Sequence, residues 1–296
     1  MEQKRASRTA EAAAATRAYY DQYRPPNIFP DPYARQFLKG FWRLVLATPL
    51  RSLVFELGLK PLKPVGGQVV ARSRFAEDRL ELALSHGIDQ YVLVGAGYDS
   101  FSVRRQDLQH KLKVFEVDHP DTQQEKRRRL TSITRGAPPE NLRFVPVDFE
   151  RQSLRAGLAE SDFDPTRPCF YAWLGTTAYL SNQATFDALS SMSALAAPGS
   201  ELVFDFLGAQ TDLLEPQHQA LYQALKAFTA KRGEPIVGEM AVSTLTQRLP
   251  VCGWQLSELL GFDEQRALYF DERSDDAMPM PGSFLVHLIK PRQGAT

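Results

Sequence analysis

Five short apolar runs, each bounded by turn residues and separated by helical patterns, constrain the fold of this chain more than any other feature. Runs of this kind are typical of parallel strands that are buried on both faces. The predicted strands span residues 90–94, 113–117, 142–147, 169–174 and 201–206. Because helices alternate with them, we predict an α/β fold built on an open, doubly wound sheet.

Helical patterns fill the intervals between these strands. They cover residues 69–85, 100–106, 121–131 and 184–197, and the last stops at Pro198 and Gly199, as helix-ending residues predict. Two further strands, at 254–260 and 283–289, are predicted to pair as in a β-hairpin at one edge. The expected sheet therefore has seven strands and is mostly parallel.

Two segments depart from this alternation. Residues 1–65 are rich in proline and predict an N-terminal helical cap of short helices joined by proline-fixed turns, ahead of a main domain at 66–296. Residues 208–249 predict a helical insertion. The insertion rests on apolar residues at helical spacing, namely Leu213, Leu214, Leu221, Leu225 and Phe228.

Charge and hydropathy exclude several classes of partner. Lys plus Arg and Asp plus Glu both number 35, so no global field would attract nucleic acid or anionic lipid. The basic run Lys126 to Arg129 spreads around a helix near Asp121 and Glu125, which predicts a solvated helix face. No apolar stretch is long enough for a membrane span and no signal-peptide core is present, so we predict a cytoplasmic protein whose partner is a small molecule.

The two cysteines give no sign of a metal site or a disulfide. Cys169 and Cys252 lie in apolar stretches without any Cys-x-x-Cys or Cys/His spacing. We therefore expect two reduced thiols in the core and no bound metal.

A glycine loop follows directly on the first buried strand, in YVLVGAGYDS. Gly95, Ala96 and Gly97 allow a sharp turn and close approach of a ligand, although a plain strand-to-helix turn has the same pattern. The next strand ends in Asp118, 23 residues past Gly95, where an acid can accept hydrogen bonds from both hydroxyls of an adenosine ribose.

A third strand and a helix complete the predicted cofactor pocket. Asp148 and Phe149 follow the third strand and suit an adenine amino group and ring face. Position 100 is Ser, so the Gly-x-Gly-x-x-Gly pattern of dinucleotide sites fails. S-adenosylmethionine carries no phosphate and needs a cation for its carboxylate, which Arg74 can supply, although a solvated helix face would also accommodate that arginine.

Several ordered motifs give the chain a resemblance to a known family. They are RSRFAEDRLELALSHGIDQYVLVGAGYDSFSVR, FEVDHPDTQQEKRRRL, VPVDF and FYAWLGTTAYLS, with DPYA near the start and RGEP at 232–235. Over roughly residues 15–290 the chain resembles the leucine carboxyl methyltransferase-like group of bacterial S-adenosylmethionine-dependent methyltransferases, which includes polyketide O-methyltransferases.

This resemblance implies a class I methyltransferase fold, a Rossmann-like sheet of seven strands, and O-methylation of a small acid or phenol, as in secondary metabolism. It assigns Arg74 to the methionine carboxylate, Gly95 and Gly97 to the cofactor loop, Asp118 to the ribose, and Asp148 with Phe149 to the adenine. Better-known members end the fourth strand in Ala-Glu-Gly, whose Glu helps to hold the ammonium of the cofactor.

This chain departs from the family pattern at the end of the fourth strand. It has Leu174 and Gly175 where those members have Glu-Gly, so we expect backbone carbonyls to take the role of that Glu.

A carboxylate acceptor needs no general base, whereas a phenol would benefit from one. His119, Tyr98 and Tyr179 are the candidates. His119 also suits a turn beside the ribose, and Tyr179 also suits a substrate-pocket wall or the core. Arg24 is a candidate for pairing with an acidic substrate, with a salt bridge as the alternative.

Two other functions fit parts of the sequence. A nicotinamide-dependent oxidoreductase on the same fold would require the glycine loop to accept a pyrophosphate. A non-catalytic regulatory protein would keep the cofactor site without turnover, which Leu174 makes conceivable.

Overall fold

The computed structural model describes residues 3–58, 63–213, 215–231 and 236–292 of the chain. All seven predicted strands are present, and each bound agrees with the predicted one to within one residue. They are β1 Gln90–Val94, β2 Lys113–Asp118, β3 Leu142–Pro146, β4 Phe170–Trp173, β5 Glu201–Leu207, β6 Gln255–Leu260 and β7 Ser283–Ile289. The sheet order is β3-β2-β1-β4-β5-β7-β6, which confirms the α/β prediction.

The four helices predicted between strands are also present. The α-helices of the described residues are α1 Gln3–Tyr23, α2 Gly40–Ala47, α3 Lys63–Ser85, α4 Phe101–Arg104, α5 Pro120–Ile133, α6 Leu154–Ala159, α7 Asn182–Leu195, α8 Pro216–Lys231, α9 Val242–Arg248 and α10 Phe262–Tyr269. Within the described ranges, no helix has both the length and the apolar character that crossing a bilayer requires.

The N-terminal segment differs from the expected series of short helices. Its first helix, α1, runs for 21 residues before Pro25 and Pro26. Alanine has the highest helix propensity, and the Ala run at 12–15 lies in the middle of α1, so the helix extends until the prolines stop it.

Contacts divide the chain into two compact units. The first unit comprises Met1–Lys60 and Asp89–Asp164, with β1, β2 and β3; the second comprises Pro61–Ile88 and Pro165–Thr296, with β4 to β7. Residues 1–60 thus group with the first three strands, and the domain boundary at residue 65 stays a prediction.

Inside the first unit, α1 is tied to the segment that follows β1. Arg17, which is 6% exposed, donates to Asp31 at 2.8 Å and to the carbonyl of Tyr98 at 2.6 Å. Ser100 donates to the other oxygen of Asp31 at 2.7 Å. These buried bonds fix the loop after β1 against α1, and they explain why serine stands at position 100.

Inside the second unit, β4 and β5 are parallel while β7 is antiparallel to both β5 and β6. The predicted edge pair β6 and β7 is confirmed, but its connection contains α10, which the sequence analysis missed. Glycine at 261 caps this short helix.

The predicted insertion at 208–249 contains α8 and α9. Leu213 and Leu225 pack with Tyr222 in a small core of the second unit. Leu214, the side chain of Phe228 and the RGEP run at 232–235 lie outside the described residues. The N–H groups of Val237 and Gly238 donate to the carbonyl of Ala178 at 2.9 and 3.0 Å, so this segment is bound to the turn that follows β4.

The basic run on α5 is not a solvated face, so that prediction is wrong for two of its four residues. Lys126 is 1% exposed and forms an ion pair with Glu116 of β2 at 2.7 Å. Arg129 is 8% exposed and bonds to Glu11 and Glu125 at 3.1 and 2.9 Å. Positions three apart share a helix face, and this face is turned inward.

Removal of the Lys126 side chain should destabilise the protein, because Glu116 would stay buried without its ion-pair partner. In Lys126→Met the carboxyl group keeps its burial and loses its partner, so we expect the free energy of unfolding at neutral pH to fall by about 3 to 5 kcal/mol. Urea denaturation followed by tryptophan fluorescence measures it. The double variant Glu116→Leu/Lys126→Met should recover most of the loss, and a double variant less stable than the single one would contradict this account.

The same variant should acquire a distinct pH dependence. Burial raises the pKa of Glu116 to about 7, against the opposing effect of Lys126. Without Lys126 the folded-state pKa rises further while that of the unfolded state stays ordinary. An acid that holds its proton more tightly when folded loses stability as the pH rises between those two pKa values. Denaturation of Lys126→Met from about pH 5 to 8 should therefore show a steeper loss than the natural protein; equal slopes would contradict it.

Candidate cofactor site

The glycine loop of the first unit is bent back onto the end of β2. Gly95 and Gly97 have φ of 73° and 47°, a left-handed conformation that favours glycine. The N–H groups of Gly95 and Ala96 both donate to the carbonyl of Val117, at 2.9 and 3.1 Å. The loop thus lies across the carboxyl end of the neighbouring strand.

Asp118 closes this loop at the end of β2. One carboxylate oxygen accepts the N–H of Gly97 at 2.6 Å, and the other accepts the N–H of His119 at 2.7 Å. Burial raises the pKa of Asp118, while the two backbone N–H groups oppose the rise. A carboxylate offers about four lone-pair positions, so capacity for ribose hydroxyls remains.

The hydrogen bonds and charges around the glycine loop determine whether it can bind an anionic ligand. A pyrophosphate binds through free backbone N–H groups at such a turn. Here Gly95, Ala96 and Gly97 all donate their N–H groups to protein oxygens. Burial raises the pKa of Glu116, the nearby carboxyl groups of Asp99 and Asp118 raise it further, and Lys126 opposes the rise. The surroundings of the loop disfavour a phosphate anion and suit a cofactor without one.

The other predicted adenosine residues follow β3 in the first unit. Asp148 accepts the N–H of Glu150 at 3.1 Å and lies 3.4 Å from Arg151. Phe149 is 55% exposed, so its ring face is open to a partner. Both residues therefore remain candidates for the adenine.

In the second unit, the structure separates two arginines of α3. Arg74 lies on the exposed side of the helix and pairs with Asp78 at 2.7 Å. Arg72 points the opposite way, toward the turn after β4, and its side chain is 19% exposed. Residues two apart on a helix differ by about 200°, so only one of these arginines can face that turn.

Gly175 provides the space for Arg72. A Cβ atom at position 175 would lie 2.5 Å from Nη2 of Arg72, so any side chain there would force the guanidinium to move. The N–H of Gly175 donates to Asp205 of β5 at 2.6 Å, and Arg72 pairs with the same carboxylate at 3.1 Å. Leu174 directly precedes this group at the end of β4.

The three predicted base candidates have different surroundings. Tyr98 is 2% exposed and lies beside Phe37 and under the guanidinium of Arg129, which makes it a core residue. Nδ1 of His119 accepts the N–H of Asp121 at 3.2 Å and caps α5, as the turn alternative predicts. Tyr179, in the turn after β4, is 44% exposed.

The structure places Arg24 in a partly buried salt bridge, which was the alternative to a substrate contact. Its guanidinium lies 3.2 Å from Glu56, and its side chain is 11% exposed. The hydroxyl of Tyr19 donates to the same carboxylate, and burial followed by this contact raises the pKa of Tyr19. The charge of Arg24 is thus matched inside the first unit.

Two features stand apart from the predicted site. Cys169 and Cys252 are buried free thiols, and burial raises the pKa of Cys169 to about 11. A cavity of about 370 Å³ in the second unit is lined by Thr211, Asp212, Val242, Leu259, Gly261, Glu264 and Phe284. These lining residues include none of the predicted site residues. In the described part of the chain, no group of three or more His, Cys, Asp or Glu side chains is placed to hold a metal ion.

Sequence reasoning missed Arg72 and Asp205. Helical spacing carried a signal for the first, because Arg72 lies three residues after buried Val69 and four before buried Ala76, whereas Arg74 lies on the opposite side. Asp205 interrupts an apolar strand, and a charged residue inside a buried strand calls for a partner. That partner could not be identified before α3 was oriented.

Comparison with known proteins gives matches along most of the chain. The family model described as leucine carboxyl methyltransferase matches residues 10–193. "Putative S-adenosyl-L-methionine-dependent methyltransferase YktD" of Bacillus subtilis (strain 168) is 27% identical over 312 residues, with 98% of this chain and 100% of that protein covered. "Putative S-adenosyl-L-methionine-dependent methyltransferase Rv1896c" of Mycobacterium tuberculosis (strain ATCC 25618 / H37Rv) is 33% identical, with 75% of this chain and 69% of that protein covered.

Among solved structures, a putative methyltransferase from Thermobifida fusca YX superposes with a TM-score of 0.57 at 18% identity, covering 92% of this chain and 100% of that one. This likeness confirms the predicted fold class. The names of the two relatives agree with the cofactor predicted from the sequence, S-adenosylmethionine. Since the family model covers well over half of the sequence, the chain belongs to the leucine carboxyl methyltransferase family.

Proposed function

We propose that this S-adenosylmethionine-dependent methyltransferase is an O-methyltransferase that acts on a carboxylate of a small molecule, as in secondary metabolism. The observation that carries the proposal is the glycine loop, whose three N–H groups are all donated to Val117 and Asp118. Such a loop can hold a nucleoside but has no backbone donors left for a pyrophosphate. This favours S-adenosylmethionine over the nicotinamide dinucleotide of the rival function.

The residues of the first unit fit the nucleoside part of that cofactor. Asp118 has acceptor capacity for the ribose hydroxyls, and Asp148 with the exposed ring of Phe149 suits the adenine. In the second unit, the guanidinium of Arg72 suits a carboxylate, because it is held at Gly175 with one N–H directed to Asp205. Arg74, the residue predicted for that role, remains the alternative.

The cofactor supplies an electrophilic methyl group on a sulfonium sulfur. When bound, it would supply this methyl group to the acceptor oxygen, with the carbon–sulfur bond breaking as the oxygen–carbon bond forms and S-adenosylhomocysteine as the leaving product. The protein has to orient the acceptor oxygen and exclude water. An ionised carboxylate needs no proton removed, and two of the three base candidates, Tyr98 and His119, are engaged in packing or capping. The arrangement therefore favours a carboxylate acceptor, with Tyr179 as a candidate substrate contact.

The acceptor class can be read from activity and its pH dependence. Release of S-adenosylhomocysteine would be measured against panels of small carboxylic acids and phenols. A carboxylate, with a pKa of about 4, is ionised throughout, so we expect a rate that is flat from about pH 6 to 9, whereas a phenol predicts a rate that rises with pH. Turnover of phenols alone would contradict the proposed acceptor, and binding of the cofactor without turnover of any acceptor would support the regulatory alternative.

Asp118 should matter more for cofactor affinity than its neighbour in sequence. We expect Asp118→Ala to weaken binding of S-adenosylhomocysteine by about 1 to 3 kcal/mol, because the ribose loses a charged acceptor. Isothermal titration calorimetry measures this. The control is Asp121→Asn, an exposed carboxylate three residues away, which should bind normally. An unchanged dissociation constant in folded Asp118→Ala would place the ribose elsewhere.

The two arginines of α3 can be distinguished directly. We expect Arg72→Gln to raise the dissociation constant of S-adenosylhomocysteine about tenfold or more, since a charged hydrogen bond to the carboxylate is lost. Arg74→Gln serves as the matched control on the same helix and should change it less than about twofold. The reverse result would indicate that Arg74, and not Arg72, binds the carboxylate of the cofactor.

A further inference from the structure

Asp205 is a buried carboxylate on β5 with two different partners. One oxygen accepts the N–H of Gly175 at 2.6 Å, and the other lies 3.1 Å from Nη1 of Arg72. The side chains of Arg72 and Asp205 are 19% and 10% exposed. A cation and an anion are thus held side by side, both largely withdrawn from water and both still reachable.

The strands explain why this acid is placed at the turn. β4 and β5 are parallel, with Trp173 opposite Phe204, so Leu174 and Asp205 follow at the same level. The hydroxyl of Thr177 donates to the backbone carbonyl of Asp205 at 2.5 Å. Both the side chain and the main chain of residue 205 therefore hold the turn that follows β4.

The charge pair matches one kind of chemical group. The amino-acid end of a molecule such as methionine is a zwitterion, with a carboxylate and an ammonium on the same carbon. Arginine has five N–H donors and a carboxylate about four lone-pair positions. The hydrogen bond between Arg72 and Asp205 uses one of these donors, and the carboxylate of Asp205 keeps about half of its positions free of the bonds from Arg72 and Gly175. An α-amino acid can bind such a pair with each charge against its opposite.

We propose that Arg72 and Asp205 together bind the zwitterionic end of S-adenosylmethionine, with Asp205 accepting the ammonium group and orienting Arg72 toward the carboxylate. This inference rests on the proposed function and adds a residue to it. Leu174 has no side-chain acceptor, and the carboxylate at its level on β5 supplies one. Gly175 contributes to this arrangement, since any Cβ there would displace the guanidinium of Arg72.

The test uses three ligands that differ only at this end. They are S-adenosylhomocysteine, its analogue without the amino group, 5′-S-(3-carboxypropyl)-5′-thioadenosine, and 5′-methylthioadenosine, which lacks the amino acid. Dissociation constants are measured by calorimetry for the natural protein and for Asp205→Asn. We expect the preference for S-adenosylhomocysteine over the deamino analogue to fall about tenfold or more in the variant, because a charged acceptor is lost. Affinity for 5′-methylthioadenosine should stay within about twofold.

A purely structural role for Asp205 predicts a different result, in which all three ligands weaken together and the preference is kept; that result would overturn the inference. Glu258→Gln is the matched control, because it breaks the pair of Glu258 with Arg79 of the same helix α3 and should leave the preference unchanged. If Asp205→Asn does not fold, Asp205→Ser retains an oxygen for the N–H of Gly175 without the charge and should lose the preference in the same way.

The two proposals fail in distinguishable ways. If the natural protein binds none of the three ligands, the proposed function itself is wrong. If it binds S-adenosylhomocysteine and Asp205→Asn keeps the full preference over the deamino analogue, only the role of Asp205 is wrong.

Discussion

The carboxylate of Asp118 holds the glycine loop in place, and the proposed cofactor site depends on that one interaction. By accepting the N–H groups of Gly97 and His119, it joins the loop after β1 to the helix that follows β2. Desolvation opposes the charge on this carboxylate, and two backbone donors offset that cost. The cation of Lys126, buried below on α5, offsets it further.

Sequence patterns were sufficient for most of the fold because strand and helix periods are local properties. The runs at 90–94 and 283–289 became strands with those same bounds, since apolar side chains bounded by turn residues have few alternatives. Helix α10 was missed because it has only 8 residues, which is too short for a helical period to stand out in the sequence. The burial of Lys126 was missed for another reason. Its partner Glu116 lies in a mostly apolar strand, and the two side chains meet only when β2 and α5 pack together.

The candidate site likewise contains residues that chain order groups together and residues that only tertiary packing brings together. The grouping of Gly95, Gly97 and Asp118 could be predicted because they follow consecutive strands, and chain order alone brings them to one edge of a sheet. Their role in binding the cofactor stays a prediction. Arg72 and Asp205 belong to a helix and a strand separated by more than a hundred residues. Their pairing depends on how α3 is rotated, and a difference of two residues on a helix reverses the side that an arginine faces. Periodicity limits such choices, but tertiary packing decides them.

The close approach of α1 to the glycine loop has an evolutionary consequence. A Cβ atom at position 97 would lie 3.1 Å from Cβ of Ala10, closer than ordinary van der Waals contact, so a side chain at position 97 would require the helix or the loop to shift slightly. Substitutions at residues 10 and 97 should therefore be coupled across descendants of this chain. A side chain at position 97 would be accepted only in lineages whose first helix lies farther from the loop.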